Sequence, residues 1–564
     1  MRLKITKTKS DTNYYIIKDV TNNGKRTTQI YEKLGNIECI SERANGEAPL
    51  EWINKYIENL NNDLKKGNEN IVIKKSTSSL LRKNVQNSFN IGYVFLQKIY
   101  NALKLNEICK DISQKYKFEY NLDSILSRLI YTRILEPSSK LSSFEASKKF
   151  LEQPNFELQH IYRALEVIAK ETENIEAEVY KNSLNLVNRN TKILYYDCTN
   201  YFFETEEAEG IKQYGVSKEH RPNPIVQMGL FMDGDGFPLA FSINSGNTNE
   251  QVTLKPLEQQ LIKDFELSKF VVCTDAGLAS NENRVFNNIQ NRSFVVTQSL
   301  KKLKGHLRDW ALSPEGWRKN NSKKYVNLEN IDSTSNSDDV YYKERWIKEN
   351  GLEQRLIVSY SPKYATYQKA IRNSQILRAQ ELINNPSKFV RSKQNDPKRF
   401  VTSKNITSDG EIAEKRVISL NETAIKNEEM FDGFYAVCTT LEDDISEIIK
   451  VNKRRWEIEE SFRILKSEFK ARPVYLKNDD RIKAHFTICF LSLVIYRILE
   501  SKLESKYTSH EIITTLKNMN LLKEQTSYIP TYTRTDITDL LHDKFGFRTD
   551  YEILNKKHIQ KILK

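Results

Sequence analysis

Hydrophobic positions along the chain follow first a mixed, then a helical, then a strand-like period. Residues 1–80 open with β-rich runs at Tyr14–Ile17 and Thr27–Leu34, joined by a turn at Asn22-Asn23-Gly24-Lys25. From Pro49 to Lys66, Trp52, Ile53, Tyr56, Ile57 and Leu60 recur at helical spacing. Between about 90 and 190 the pattern is helical. Leu122, Ile125, Leu126, Leu129 and Ile130 form one stripe, which Pro137 ends. At Lys192 the period changes: Ile193–Tyr196 is a short apolar run closing on Asp197, Cys198 and Thr199, as a buried strand would. Ile225–Met232 predicts a second strand, Asp233-Gly234-Asp235-Gly236 a hairpin turn, and Phe237–Ile243 the return strand. Gln251–Phe265 reads as a helix, Phe270–Asp275 as a fourth strand and Phe294–Thr297 as another. In that order the first three strands pair as an antiparallel meander. A helical crossover sets the fourth parallel to the first.

Residues 301–432 break this rhythm. They are rich in Lys, Asn, Ser and Glu, with β-like runs at Arg355–Tyr360 and Glu414–Leu420 around a helix near Ala365–Asn384. Phe434–Thr440 restores a strand, and one long helix is expected over about Asp444–Lys470. The pattern therefore divides into an N-terminal β/α region (1–85), a helical candidate DNA-binding domain (86–190), and an α/β core in two parts (191–300 and 433–500). An insertion domain (301–432) separates those parts, and a C-terminal helical region (501–564) follows. The most apolar run, Phe486–Tyr496, is closed by Arg497; it is too short to span a bilayer and reads as a buried helix.

Composition narrows the class. The 564 residues suggest about three to four domains. An apolar fraction of 39% supplies a core. The net charge of +13 favours an anionic partner, nucleic acid before membrane. Six cysteines without a C-x-x-C pair, and seven histidines without ligand-like spacing, argue against zinc ribbons and disulfide frameworks. His485, on the apolar helix, reads as a core residue. An N-terminus without an apolar stretch predicts no signal peptide, and a cytoplasmic protein is expected.

Three carboxylates carry the candidate chemistry. Asp197 and Asp275 each end an apolar strand, where ligands of α/β sheets bind. On neighbouring parallel strands their mutual repulsion favours a cation between them, and oxygen ligands select Mg²⁺ or Mn²⁺. On a helix, Arg455, Glu459, Phe462 and Lys466 share one face, and Trp456, Ile464 and Leu465 anchor the neighbouring ones. Spacing alone leaves Glu457 and Glu460 as rivals of Glu459 and is equally satisfied by helix salt bridges.

Arg455, Glu459 and Lys466 resemble the Tyr-x2-Arg-x3-Glu-x6-Lys signature of a branch of bacterial insertion-sequence DDE transposases. That branch has a ribonuclease H-like core interrupted by a β-rich insertion before the glutamate. Tyr196-Asp197-Cys198-Thr199 resembles the first-aspartate motif, and Thr274-Asp275-Ala276-Gly277 the second. Tyr214–Lys218 with His220-Arg221-Pro222 resembles the segment before the second strand. One departure is clear: the signature's tyrosine is Asn452 here.

The resemblance implies an α/β fold with a ribonuclease H-like, retroviral-integrase-like core and a mixed sheet. It implies two-metal phosphoryl transfer with two Mg²⁺ (or Mn²⁺) ions. Asp197 would hold both ions, and Asp275 and Glu459 one each. The enzyme would cut insertion-sequence ends and join them to target DNA. Its partners would be double-stranded DNA (terminal inverted repeats and target) and a second copy of the chain in the DNA complex, with no membrane. Arg455, Lys466, Lys218 and Arg221 would meet DNA. Trp317, beside Arg318 and Lys319, would stack on a flipped base. The alternatives are a ribonuclease H-like nuclease without strand transfer, an inactive transposase-derived DNA-binding protein and, more distantly, a carboxylate-pair sugar hydrolase.

Overall fold

A computed structural model of the chain describes residues 1–7, 12–22, 25–44, 46–65, 76–78, 80–289, 291–319, 322–331, 338–384, 397–405, 416–525 and 527–563. It divides into two compact units, Met1–Val85 and Gln86–Lys564.

In the first unit, strands Arg2–Lys7, Thr12–Asn22 and Lys25–Gly35 form an antiparallel sheet, and helices Ile37–Ala44 and Pro49–Lys65 follow. Ile16, Leu34, Ile40 and Ile53 close its small core. Of the expected hairpin turn, Asn22 and Lys25 pair across the strands, while Asn23 and Gly24 lie outside the described residues.

In the second unit a short strand, Ser88–Asn90, is followed by helices, among them α1 (Leu122–Leu135), α2 (Lys140–Ser147), α3 (Leu158–Lys170) and α4 (Thr172–Ser183). A large mixed sheet follows. Its strands are β1 (Ile193–Phe202), β2 (Ile225–Asp233), β3 (Pro238–Ser245), β4 (Val271–Thr274), β5 (Ser293–Thr297), β6 (Trp317–Lys319), β7 (Tyr325–Val326), β8 (Tyr341–Glu349), β9 (Leu352–Tyr360) and β10 (Phe434–Thr439). The spatial order is β7-β6-β8-β9-β10-β5-β4-β1-β2-β3. Strands β1, β2 and β3 pair antiparallel, and β4 and β5 run parallel to β1. The five-strand order 3-2-1-4-5, with two antiparallel hairpins and two parallel additions, is the ribonuclease H-like arrangement.

The inner strands are apolar on both faces because both are covered. Leu194, Tyr196 and Cys198 of β1 meet Leu254, Leu257 and Leu261 of helix α5 (Leu254–Asp264). Tyr195 and Tyr201 face the other way. There they pack with helices α6 (Ile445–Lys453), α7 (Trp456–Arg463) and α8 (Asp479–Lys502). Helix α8 extends well beyond the expected Phe486–Tyr496 run. Among the described residues it is the one helix long and apolar enough to cross a membrane, and 94% of that apolar window is buried inside the protein. Arg497 is tolerated there because Glu500, Ser461 and the Glu457 carbonyl accept its hydrogen bonds.

Three expectations need correction. The residues between β5 and β10 do not stand wholly apart from the core. Strand β8 pairs with β9 and β9 with β10, both antiparallel, and so they extend the same sheet. The polarity of the intervening loops hid this continuity. The span 501–564 is not purely helical. Asn520–Glu524, Ser527–Pro530 and Leu554–Asn555 form a sheet with Ser88–Asn90, far away in sequence. The helix expected over Asp444–Lys470 breaks after Lys453, where Arg455 N–H bonds the Asn452 carbonyl and Glu457 N–H the Arg454 carbonyl, three residues back. It ends in a π turn in which Phe469 N–H reaches Ile464 O at 3.0 Å.

Candidate active site

Alternation along β1 sends Asp197 and Thr199 to the same face as Tyr195 and Tyr201, toward α7. Asp197 lies mid-strand, not at the end, because β1 runs on to Phe202. Tyr195 pairs with Cys273 in the parallel register of β1 and β4, so two residues further on Asp197 stands beside Asp275. Asp275 is fixed just past β4 by the Gly277 and Leu278 N–H groups, each donating to Oδ1 at 3.0 Å. Burial pushes the Asp197 carboxyl up to about 6; Asp275 adds to the rise, while Lys218 and Arg455 oppose it.

Helix α7 brings the third acid. Arg455 Nη2 lies 3.2 Å from Glu459 Oε1, and its Nη1 lies 3.9 Å from Asp197 Oδ2. Glu457 instead pairs with Arg454 at 3.1 Å, and Glu460 with Arg463 at 3.0 Å. Of the three glutamates, Glu459 alone shares a partner with Asp197. Its side chain is 59% exposed, open to a ligand. Lys466, carried by the π turn, donates to Thr199 Oγ1 at 2.6 Å. Burial and the neighbouring Lys218 lower the Lys466 ammonium to about 8. Lys218 donates to the Cys198 carbonyl and lies 3.0 Å from Glu250. Burial works against its charge, but Asp197 and Glu250 prevail and raise it. Arg221 lies over the Phe202 ring at 4.1 Å. Asp197, Asp275, Glu459, Arg455, Lys466 and Lys218 thus converge, with Arg221 at the rim.

Trp317 does not join them. It is fully buried, its Nε1–H donates to Ser313 O at 2.8 Å, and Phe434 and Tyr360 pack around it. A ring so enclosed cannot stack on a base; Trp346, 46% exposed, is the accessible tryptophan of β8. Trp456, expected as an anchor, is also exposed.

Sequence reasoning missed several contributors. Glu219 pairs with Arg472 and lies 3.6 Å from Lys466. Glu250 holds Lys218 from a short 3-10 turn, Glu250–Val252, with no motif. Asn452 occupies the signature tyrosine's position and is buried. Its Nδ2 donates to the Tyr435 hydroxyl at 2.6 Å, and that hydroxyl also meets Thr297 Oγ1 at 2.8 Å. A phenol hydroxyl thus reaches this point from β10 instead of from the helix. A separate group, Asp539, His542 and Asp550, could in principle hold a metal, but Arg534 and Arg548 already neutralise its carboxylates.

The family model described as "Transposase DDE domain" matches residues 201–495, a little over half of the chain and starting just past Asp197. The chain belongs to this transposase family, whose members generally use divalent metal ions. Among solved structures it is similar to the piggyBac transposase synaptic complex with hairpin DNA, at 8% identity and a TM-score of 0.36, over 84% of this chain and 83% of that one. It is also similar to the Mos1 transposase paired-end complex with left transposon end, at 15% identity and a TM-score of 0.14, over 43% and 66%. Likeness of this size fixes no detail of the site. No curated protein matches the chain.

Proposed function

We propose that this protein is a cut-and-join transposase of an insertion sequence, with Asp197, Asp275 and Glu459 as its catalytic acids. The observation that carries the reading is that Arg455 joins Glu459 to Asp197, beside which the strand register sets Asp275. The donors fit a hard divalent cation: all are carboxylate oxygens, and burial beside Asp275 raises the Asp197 carboxyl, a cost that a bound cation would offset. When bound by these acids, Mg²⁺ or Mn²⁺ supplies Lewis acidity at the attacking and leaving oxygens of a phosphodiester.

The chain's own groups bind and orient the DNA. Arg455, Lys466 and Lys218 place three cations around Asp197, where a phosphate meets them at short range. Thr199 and Glu219 hold Lys466, and Glu250 holds Lys218, so both ammonium groups are aimed before DNA arrives. The +13 charge supports a duplex DNA partner, and two ends cut together require at least two copies of the chain in the complex. The same chemistry without strand transfer would be a nuclease.

The deciding assay offers element-end duplexes and a target plasmid with Mg²⁺, scoring cleavage and joining separately. Wild type should do both, and Asp197→Ala, Asp275→Ala and Glu459→Ala neither. Cleavage without joining would favour the nuclease reading. Full activity in any of the three variants would remove that residue from the site.

A further inference from the structure

A cavity of about 450 Å³ lies between the end of α1, the start of α2 and the segment that follows the π turn. Arg133, Lys140, Lys470, Arg472 and His485 line it, and among the described residues no carboxylate does. Lys140 is only 5% exposed, and among the described residues its ammonium has no hydrogen-bond or ion-pair partner. Arg133 is 3% exposed. Its Nη atoms donate to the carbonyls of Phe469 and Ser138, and its Nε has no partner. His485 Nε2–H is committed to the Ala471 carbonyl at 3.1 Å. Two buried cations therefore face one cavity with no counter-ion among the described residues.

Burying an unpaired ammonium costs several kcal/mol, and proteins avoid this by pairing it. Here burial, with Arg133 next to it, depresses Lys140 to about 7. The N-terminus of α2 opens on the same space through Ser138 and Ser139, adding backbone polarity that also suits an anion. The cavity adjoins the catalytic face. Arg472 pairs with Glu219, Glu219 lies 3.6 Å from Lys466, and Lys466 holds Thr199, two residues past Asp197.

We infer that this cavity is a phosphate-binding pocket, built around Lys140 and Arg133, that receives a backbone phosphate of the DNA strand leaving the active site. The inference rests on the transposase reading only for the source of the phosphate.

The test has two arms on the full chain. In the first, thermal unfolding is followed with sodium phosphate against sodium chloride at equal ionic strength. Wild type should be stabilised by phosphate. Lys140→Met should melt higher than wild type in chloride, since a buried charge is gone, and should lose the phosphate response. Lys140→Arg should keep it. Arg472→Gln, at the more exposed wall, is the second variant should Lys140→Met not fold, and should weaken the response. No phosphate response in wild type, or an equal one in Lys140→Met, overturns the pocket.

In the second arm, binding of a mixed-sequence duplex is measured across salt concentrations. Loss of one phosphate contact should lower the slope of log K against log salt by about 0.9. An unchanged slope in Lys140→Met, with the phosphate response lost, means a free-phosphate site and overturns the DNA assignment. If wild type binds no duplex, the transposase reading fails. The thermal arm still decides the pocket.

Discussion

Asn452 should substitute for the signature tyrosine by acting with Tyr435, and the two should be energetically coupled. The buried amide of Asn452 gives its N–H to the Tyr435 hydroxyl at 2.6 Å. Its Oδ1 faces Thr297 Oγ1 at 3.4 Å and Cys273 Sγ at 3.8 Å. One side chain thereby ties α6, which leads into the Glu459 helix, to β4, which ends at Asp275, and to β5 and β10. Tyr435→Phe strands a buried amide donor and should cost about 1–3 kcal/mol. On an Asn452→Ala background that donor no longer exists, so the same change should cost less. A coupling of about 1–2 kcal/mol is expected. Denaturant unfolding of wild type, both single variants and the double variant measures it. Effects that add within about 0.5 kcal/mol would refute the pairing. Asn452→Tyr does not restore the family pattern, because Tyr435 already occupies the space; overpacking should destabilise by about 1–3 kcal/mol.

Glu459→Gln should reduce cleavage by more than the roughly 100-fold that losing a metal ligand's supporting partner costs, while Glu457→Gln and Glu460→Gln stay near wild type; the reverse order in single-turnover rates would mean the helix register is misread. Glu176 on α4 accepts from Phe241 N–H and Gln260 Nε2 while burial pushes it up to about 8. The folded protein therefore keeps a proton the unfolded chain releases, and stability should fall as pH rises from about 4.5 to about 8. Glu176→Gln should flatten that fall and add about 3 kcal/mol at pH 7 but little at pH 4; an equal gain at both would remove titration as the cause. Trp317→Ala should destabilise by about 3–5 kcal/mol, and Trp346→Ala by less than about 0.5 kcal/mol. Comparable losses in thermal or denaturant melts would contradict their placement.

Much of the core was legible because its signals are local. Apolar runs with polar closures located β1, β2, β3, β4 and β5, and the loop chemistry gave their directions. Asp197 and Asp275 stood out because a carboxylate in such a run needs a reason. The helix carrying Glu459 was visible, but not its kink, since the hydrogen bonds donated by Arg455, Glu457 and Ile458 shift by one residue without altering the apolar period. Trp317 misled because basic neighbours in sequence are not neighbours in space: β6 turns the ring inward while Arg318 points away to Glu344. The pairing of Ser88–Asn90 with Asn520–Glu524 joins the two ends of the second unit, and no local pattern encodes it. Nothing in the sequence around Lys140 signals burial; only the fold shows that it is buried with no partner among the described residues.

Asp197, Asp275 and Glu459 are proposed to share divalent ions at one site. Anomalous scattering from crystals grown with Mn²⁺ and a short DNA duplex tests it most directly. The prediction is two Mn²⁺ peaks, both touching Asp197, one touching Asp275 and the other Glu459. Mn²⁺ bound only elsewhere, or a site in which Glu457 or Glu460 replaces Glu459, would contradict it.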